Sequence, residues 1–172
     1  MTYTLVITIA FALMIVLPTF LVFALRNHQK ALKITTIVFS VVYFVFLFIG
    51  TTCVLNVSID NFSIGFDFTK PWFKFYFILF ELAPSNTFIN LSMFLPLGFI
   101  VYVFAEKKQF KKTIIFAICL SLFVEFYQFA LPIYRNTELT DILFNTLSGL
   151  ISALYCHYLY KGGAFKPKSF KR

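Results

Sequence analysis

Long uninterrupted apolar segments alternate with short polar ones along this chain. Five segments have the length that a helix needs to cross the hydrocarbon core of a bilayer, about 20 residues. These segments are Thr4–Leu25, Ile34–Leu55, Thr87–Ala105, Thr113–Leu131 and Ile142–Tyr160. Their apolar positions are continuous and not alternating, which is typical of membrane helices and not of barrel strands. The pattern predicts an all-α membrane protein, a bundle of five transmembrane helices that forms a single domain over residues 1–172.

The segment between the second and third predicted helices does not fit a crossing. Over residues 57–68 apolar positions partly alternate with polar ones, as in a short hairpin. The following stretch, residues 72–81, is apolar but too short to span once its charges are counted. We therefore expect an interfacial or re-entrant segment here.

The composition agrees with a membrane protein. Hydrophobic residues make up 60% of the chain and charged residues 13%, with a mean hydropathy of +0.85. Soluble domains are about a quarter charged, so a soluble enzyme and a disordered chain are both excluded. The three cysteines, Cys53, Cys119 and Cys156, are too scattered for a disulfide framework or a metal site. No standard catalytic or nucleotide-binding signature is present, and we expect neither a metal nor a cofactor.

The charges predict an orientation. Of the 15 Lys and Arg residues, 12 lie between the first and second helices, between the third and fourth, and in the C-terminal tail. The remaining three are Lys70, Lys74 and Arg135. The positive-inside rule then places the N-terminus outside and the C-terminus in the cytoplasm. No basic residue precedes the first apolar segment and no cleavage pattern follows it, so we expect a helix there and not a signal peptide. Basic clusters beside apolar segments favour membrane lipids, and not nucleic acid, as partners.

A few polar residues interrupt the predicted helices. Glu125 is the only acid within a predicted span, and a carboxylate near the middle of a membrane costs roughly 2.5–3.5 kcal/mol. Gln128 follows on the same face, and Asn90 and Asn145 lie one turn inside the third and fifth helices. We expect these residues to form one polar layer in the outer leaflet, below loop residues that carry charge. These loop residues are Arg135, Glu138 and Asp141.

Two of the loop residues have alternative interpretations. Arg135 is the natural counter-charge for the neighbouring acids, and it can also bind a phosphate or carboxylate with two hydrogen bonds. Alternatively, it forms only a loop salt bridge. Asp141 lies near the start of the fifth helix, where an acid also suits the helix dipole.

Small residues and one proline predict how the helices pack. Pro96 and Gly98 interrupt the third helix and predict a break or bend in its middle. The fifth helix carries small side chains at four-residue spacing, which predicts close helix packing. These residues are Asn145, Gly149 and Ala153 on one line and Ser148 and Ser152 on another.

The same residues resemble the VanZ-like family of small membrane proteins. The matching motifs occur in order: Asn90, then P-L-G-F at 96–99, then S-x-x-x-E-x-x-Q at 121–128. Arg135 follows, and D-x-x-x-N-T-x-x-G at 141–149 completes the pattern, so the motif-bearing part covers about 86–155. The chain departs from the pattern at Glu138, where Asp is usual, and at Ser148, where Gly is frequent.

The resemblance implies a bacterial plasma membrane protein that contributes to low-level resistance to glycopeptides of the teicoplanin type. We hypothesise that the polar layer binds a lipid headgroup, a lipid-linked cell-wall precursor or a lipoglycopeptide antibiotic. Its candidate residues are Asn90, Glu125, Gln128, Arg135, Asp141 and Asn145.

Two alternatives to this hypothesis remain. In one, the chain is a membrane hydrolase or transferase that acts on a lipid headgroup, with Glu125 as the acid or base. In the other, it is a structural or adaptor protein whose polar layer only holds helices together.

Overall fold

The computed structural model describes residues 2–52, 84–105, 107–131 and 138–165. These residues form six helices and, within these ranges, no strand. The helices are α1 (Thr2–Leu25), α2 (Gln29–Thr52), α3 (Pro84–Met93), α4 (Leu97–Phe104), α5 (Gln109–Ala130) and α6 (Leu139–Lys161). The predicted interfacial or re-entrant segment lies outside the described residues, and so does Arg135.

Four stretches of helix are long and apolar enough to cross a membrane. They are Gln29–Phe48, Thr87–Phe104, Gln109–Ala130 and Leu139–Lys161. They correspond to the last four predicted spans, which confirms these as membrane-compatible helices. The first predicted span lies in α1, and Leu13–Leu25, the part of this helix whose side chains the structure describes, is apolar.

The helices extend beyond the apolar segments that predicted them. Helix α2 begins at Gln29 and α5 at Gln109, so both first turns carry lysines that the predicted bounds left out. An apolar run marks the part of a helix that can lie in lipid, but backbone hydrogen bonding continues into the polar flank. Lysine tolerates such positions because its aliphatic stem follows the helix while its ammonium stays in water. Helix α5 starts where Lys108 adopts a left-handed conformation, with φ of 56°.

Helix α6 packs against α3, α4 and α5. Helix α5 runs antiparallel to it, since Phe110 contacts His157 at one end and Glu125 bonds to Glu138 at the other. Helices α3 and α4 run parallel to α6, with Gly98 bonded to Ser152. The span formed by α3 and α4, the helix α5 and the helix α6 therefore alternate in direction.

One end of the bundle collects the described basic residues. A buried apolar cluster joins the end of α1, the start of α2, the end of α4 and the end of α6 there. The connections and the adjoining helix ends here carry Arg26, Lys30, Lys33, Lys107, Lys108, Lys111, Lys112 and Lys161. We call this the basic end.

The predicted break in the third span is confirmed. Helix α3 ends at Met93 and α4 begins at Leu97, with Pro96 in the intervening turn. Neighbouring helices satisfy the backbone groups that the break releases. The Phe94 N–H donates to Ser148 Oγ at 3.1 Å, and the Gly98 N–H donates to Ser152 Oγ at 2.9 Å.

The small residues allow the helices to approach closely, as predicted. A Cβ added at Gly149 would overlap the side chain of Ala117 on α5. A Cβ added at Gly98 would lie 2.7 Å from the Ser152 carbonyl oxygen. A residue with a side chain therefore does not fit at either position unless the neighbouring helix moves.

Candidate functional site

A group of buried polar side chains lies at the end of the bundle opposite the basic end. It is built from the second half of α3, the end of α5 and the start of α6. We call it the polar cluster, and its members are Asn90, Glu125, Gln128, Glu138, Asp141 and Asn145. Each is at most 7% exposed, although carboxylates are rarely buried unless they are paired.

A side-chain hydrogen bond connects α3 to α6 within the cluster. Asn90 Nδ2 donates to Asp141 Oδ1, and both residues are buried. Asp141 lies in the first turn of α6, three residues after Glu138, whose side chain makes no capping bond. An acid at position 141 suits the helix dipole, as one of the two interpretations of Asp141 predicted. The Asp141 carboxylate also accepts a hydrogen bond from α3.

Glu125 contacts the chain just before α6. Its Oε2 accepts a hydrogen bond from the backbone N–H of Glu138 at 3.1 Å. The carboxylate of Glu138 in turn accepts the Thr140 hydroxyl at 3.3 Å. Three acids, Glu125, Glu138 and Asp141, therefore lie along one connected path between α5 and α6.

Few bases lie close to these acids along the sequence. Between Lys112 and Lys161 the only Lys or Arg is Arg135, in the connection between α5 and α6. The predicted role of Arg135 as counter-charge lies outside the described residues. Two further bases, Lys70 and Lys74, lie in the connection before α3.

Gln128 points toward α2. Its Nε2 donates to the backbone carbonyl of Thr51 at 3.3 Å. The sequence did not predict the contact with Thr51, because it uses a main-chain oxygen, and every residue type has one. The Thr51 hydroxyl bonds within its own helix, to the Leu47 carbonyl at 2.9 Å.

Two amide oxygens of the cluster are buried without a hydrogen-bond partner among the described residues. They are Gln128 Oε1 and Asn145 Oδ1. The two side chains are 2% and 1% exposed, so bulk water does not reach them freely. A buried acceptor without a donor costs about 1–3 kcal/mol, so a ligand that supplies a donor gains that much here.

The structure describes five of the six predicted site residues, and all five belong to the polar cluster. Asn90 and Asp141 bond directly, and Glu125 joins them through Glu138. Gln128 lies one turn beyond Glu125 and Asn145 one turn beyond Asp141. Asn145 makes no hydrogen bond to the other four within the described part of the chain.

The cluster is rich in hydrogen-bond acceptors. In the part of the chain that the structure describes, no group of three His, Cys, Asp or Glu side chains is placed to hold a metal ion. Buried carboxylate and amide oxygens suit the recognition of a polar group by hydrogen bonds.

Comparison with known proteins places the chain in a family. A family model described as VanZ/LLP1 matches residues 4–160. No curated protein and no solved structure matches. The match includes every candidate site residue and the four membrane-compatible helices, except for the last residue of α6. A membrane-associated family and these helices together indicate a multi-pass membrane protein. The chain belongs to the VanZ/LLP1 family.

Proposed function

We propose that this chain binds the headgroup of a membrane lipid, or a lipid-linked cell-wall precursor, in the polar cluster. The observation that carries the proposal is the pair of buried amide oxygens without partners beside three buried acids. Polar residues within membrane segments usually face the bundle interior and mark binding or transport sites. Because apolar helix faces surround the cluster, a lipid is the ligand that reaches it most directly.

The proposal includes an orientation in the bacterial plasma membrane. With the basic end in the cytoplasm, the positive-inside rule places the polar cluster in the outer leaflet. Helix α1 then forms a fifth crossing and the N-terminus lies outside. Cell-wall precursors that carry a lipid anchor are exposed on that side of the membrane.

This location connects the site to antibiotic resistance. A protein that binds a lipid-linked precursor in the outer leaflet changes how easily a glycopeptide of the teicoplanin type reaches it. Competition of this kind protects cells only partly, because free precursor remains available. We therefore propose a contribution to low-level resistance.

The test compares susceptibility to teicoplanin in a host that lacks the gene. The host is complemented with the wild-type chain, with Glu125→Gln, or with Glu106→Gln, whose residue lies in the sequence between α4 and α5, as a matched control. All variants are adjusted to equal membrane abundance. We expect protection by the wild type and the control but not by Glu125→Gln. Equal protection by all three contradicts a role for the cluster, and protection by none contradicts the resistance role.

A structural role is the second candidate, and specific contacts favour it. The bonds from Asn90 to Asp141 and from Gln128 to Thr51 each join two helices. If the cluster only holds helices together, Glu125→Gln lowers the melting temperature of the purified protein and leaves lipid binding unchanged. Turnover of a lipid headgroup that is lost in Glu125→Gln would instead favour the membrane enzyme.

A further inference from the structure

An open apolar groove lies between α2 and α4. It has a volume of about 630 Å³, within the range of sites that bind small molecules. Six residues of α2, from Ile37 to Phe48, line it together with Ile100 and Phe104 of α4. Ile37, Phe48 and Phe104 are exposed although they are large and apolar. In a membrane protein such a surface faces the hydrocarbon core, so the groove is accessible to lipid chains.

The groove has the length of an acyl chain in one leaflet. At 1.5 Å per residue, α2 rises about 16 Å from Ile37 to Phe48. One leaflet contributes half of a hydrocarbon core that is roughly 30 Å thick. An acyl chain that enters the groove at one end can therefore follow α2 to the other end.

Lysines continue the groove toward the basic end. Lys33 lies one turn and Lys30 two turns before Ile37, on the same face of α2, and both lysines are exposed. Lys108, also exposed, follows Phe104 by one turn's length of sequence. Side chains tilt toward the start of their helix, and lysine extends its ammonium toward water. The ammonium groups of α2 therefore lie where a lipid in the groove has its headgroup.

The helices around these lysines carry no acids. Helices α1, α2, α3 and α4 contain no Asp or Glu. The acids that the structure describes, Glu125, Glu138 and Asp141, all belong to the polar cluster at the opposite end of the bundle. The lysines therefore attract an anionic headgroup, whereas a zwitterionic headgroup without net charge gains less.

We infer that this groove binds an anionic phospholipid, with an acyl chain along α2 and the phosphate headgroup on Lys30 and Lys33. Basic positions between membrane helices are suited to such headgroups. The headgroup lies at the basic end and not in the polar cluster, so the inference does not depend on the proposed function.

The test titrates two lipids with identical acyl chains into the purified full-length chain in detergent micelles. The probes are phosphatidylglycerol, which is anionic, and phosphatidylcholine, which has no net charge. Native mass spectrometry counts the lipids bound to each chain. We expect phosphatidylglycerol to bind about thirtyfold more tightly, the ratio that two lysines near the headgroup provide. The ratio should fall as salt is added, because salt screens exposed charges.

Charge variants locate the headgroup. Lys30→Gln with Lys33→Gln should reduce phosphatidylglycerol binding to within a few-fold of phosphatidylcholine. Lys30→Arg with Lys33→Arg keeps both charges and should retain the preference. Lys111→Gln with Lys161→Gln is the matched control, because it removes the same charge from the basic end at positions on neither α2 nor α4.

A pair of neighbouring valines locates the acyl chain. Val41 lines the groove and Val42 does not, although both are exposed on α2. Val41→Trp fills the groove and should weaken phosphatidylglycerol binding about tenfold, whereas Val42→Trp should leave it unchanged. Both variants add the same side chain to the same helix, so a general effect of tryptophan is excluded.

Equal binding of the two lipids overturns the inference. A preference that persists without Lys30 and Lys33, or that is lost equally in the control pair, places the headgroup elsewhere and also overturns it. Equal effects of Val41→Trp and Val42→Trp show that the chain does not occupy the groove. A dimer that Val41→Trp dissociates, with no bound lipid, would show that a second copy covers the groove instead.

Discussion

Single polar residues in apolar helices are easy to single out in this sequence. Glu125, Asn90 and Asn145 stand out because an apolar helix seldom carries them without a reason. Their partners were harder to predict, because the rotation and register of two helices decide which side chains meet. The bond from Asn90 to Asp141 depends on α3 running parallel to α6, and the contact of Glu125 is with a main-chain N–H.

The hydrogen bond between Asn90 and Asp141 should couple the stabilities of the two residues. Asn90→Ala and Asp141→Ala should each lower the free energy of unfolding by about 1–3 kcal/mol, since each leaves a buried polar partner behind. The double variant should be destabilised by less than the sum, because both changes remove the same bond. Reversible unfolding in mixed micelles measures all three.

A distant pair provides the control for this cycle. Thr113 bonds to the Gln109 carbonyl near the basic end, so Asn90→Ala and Thr113→Ala should be additive. Additive effects of Asn90→Ala and Asp141→Ala would show that the bond contributes nothing to stability.

At the scale of elements, the broken third span shows what a sequence predicts well. Pro96 lacks the N–H that an uninterrupted helix needs, so a break was predictable from one residue. The groups that satisfy the break were not predictable, since Ser148 and Ser152 lie more than 50 residues later. Their role depends on the register of α4 against α6.

Removing both serines should destabilise the break. In Ser148→Ala with Ser152→Ala, the N–H groups of Phe94 and Gly98 lose their acceptors in a buried region. Each loss should cost about 1–3 kcal/mol of unfolding free energy, and amide hydrogen exchange at both positions should accelerate. Ser40→Ala is the control, because the Ser40 hydroxyl bonds only within α2, to the Thr36 carbonyl. Equal effects of the control and the double variant would contradict this account.

The contact between Gly149 on α6 and Ala117 on α5 should tolerate one methyl group but not two. Gly149→Ala places its Cβ against Ala117 and should cost about 1–3 kcal/mol through overpacking. Adding Ala117→Gly moves the methyl group from one helix to the other and should recover most of the loss. Thermal unfolding of the two variants measures this exchange.

Gly162→Ala is the matched control for that exchange. A Cβ there has only ordinary contacts, with the Leu159 carbonyl oxygen at 3.5 Å the nearest. The variant should therefore have nearly the melting temperature of the wild type. If Ala117→Gly does not rescue Gly149→Ala, the strain lies elsewhere in the helix pair.

At the scale of the whole molecule, hydropathy predicted which segments form the four membrane-compatible helices. Hydropathy did not predict the ends of these helices, because it identifies the residues that can lie in lipid and not the residue at which backbone hydrogen bonding stops. The alternation of helix directions follows from repeated crossing of a thin layer, so it was predictable. The collection of the basic connections at one end follows from that alternation.

The position of the basic end relative to the membrane decides which leaflet contains the polar cluster. In a chain whose native cysteines are replaced by alanine, single cysteines are introduced by Lys107→Cys at the basic end and by Asn136→Cys between α5 and α6. Spheroplasts are then treated with a membrane-impermeant maleimide. We expect the cysteine at 136 to react in intact spheroplasts and the one at 107 only after lysis, because basic connections are retained in the cytoplasm.

Labelling after lysis is the control, since both cysteines must then react. The reverse pattern would place the polar cluster in the inner leaflet, where it does not meet an extracellular glycopeptide, and the proposed resistance role would fail. Labelling of both cysteines in intact spheroplasts would show that α5 does not cross. A third cysteine from Thr2→Cys tests the fifth crossing, because it reacts from outside only if α1 also spans the membrane.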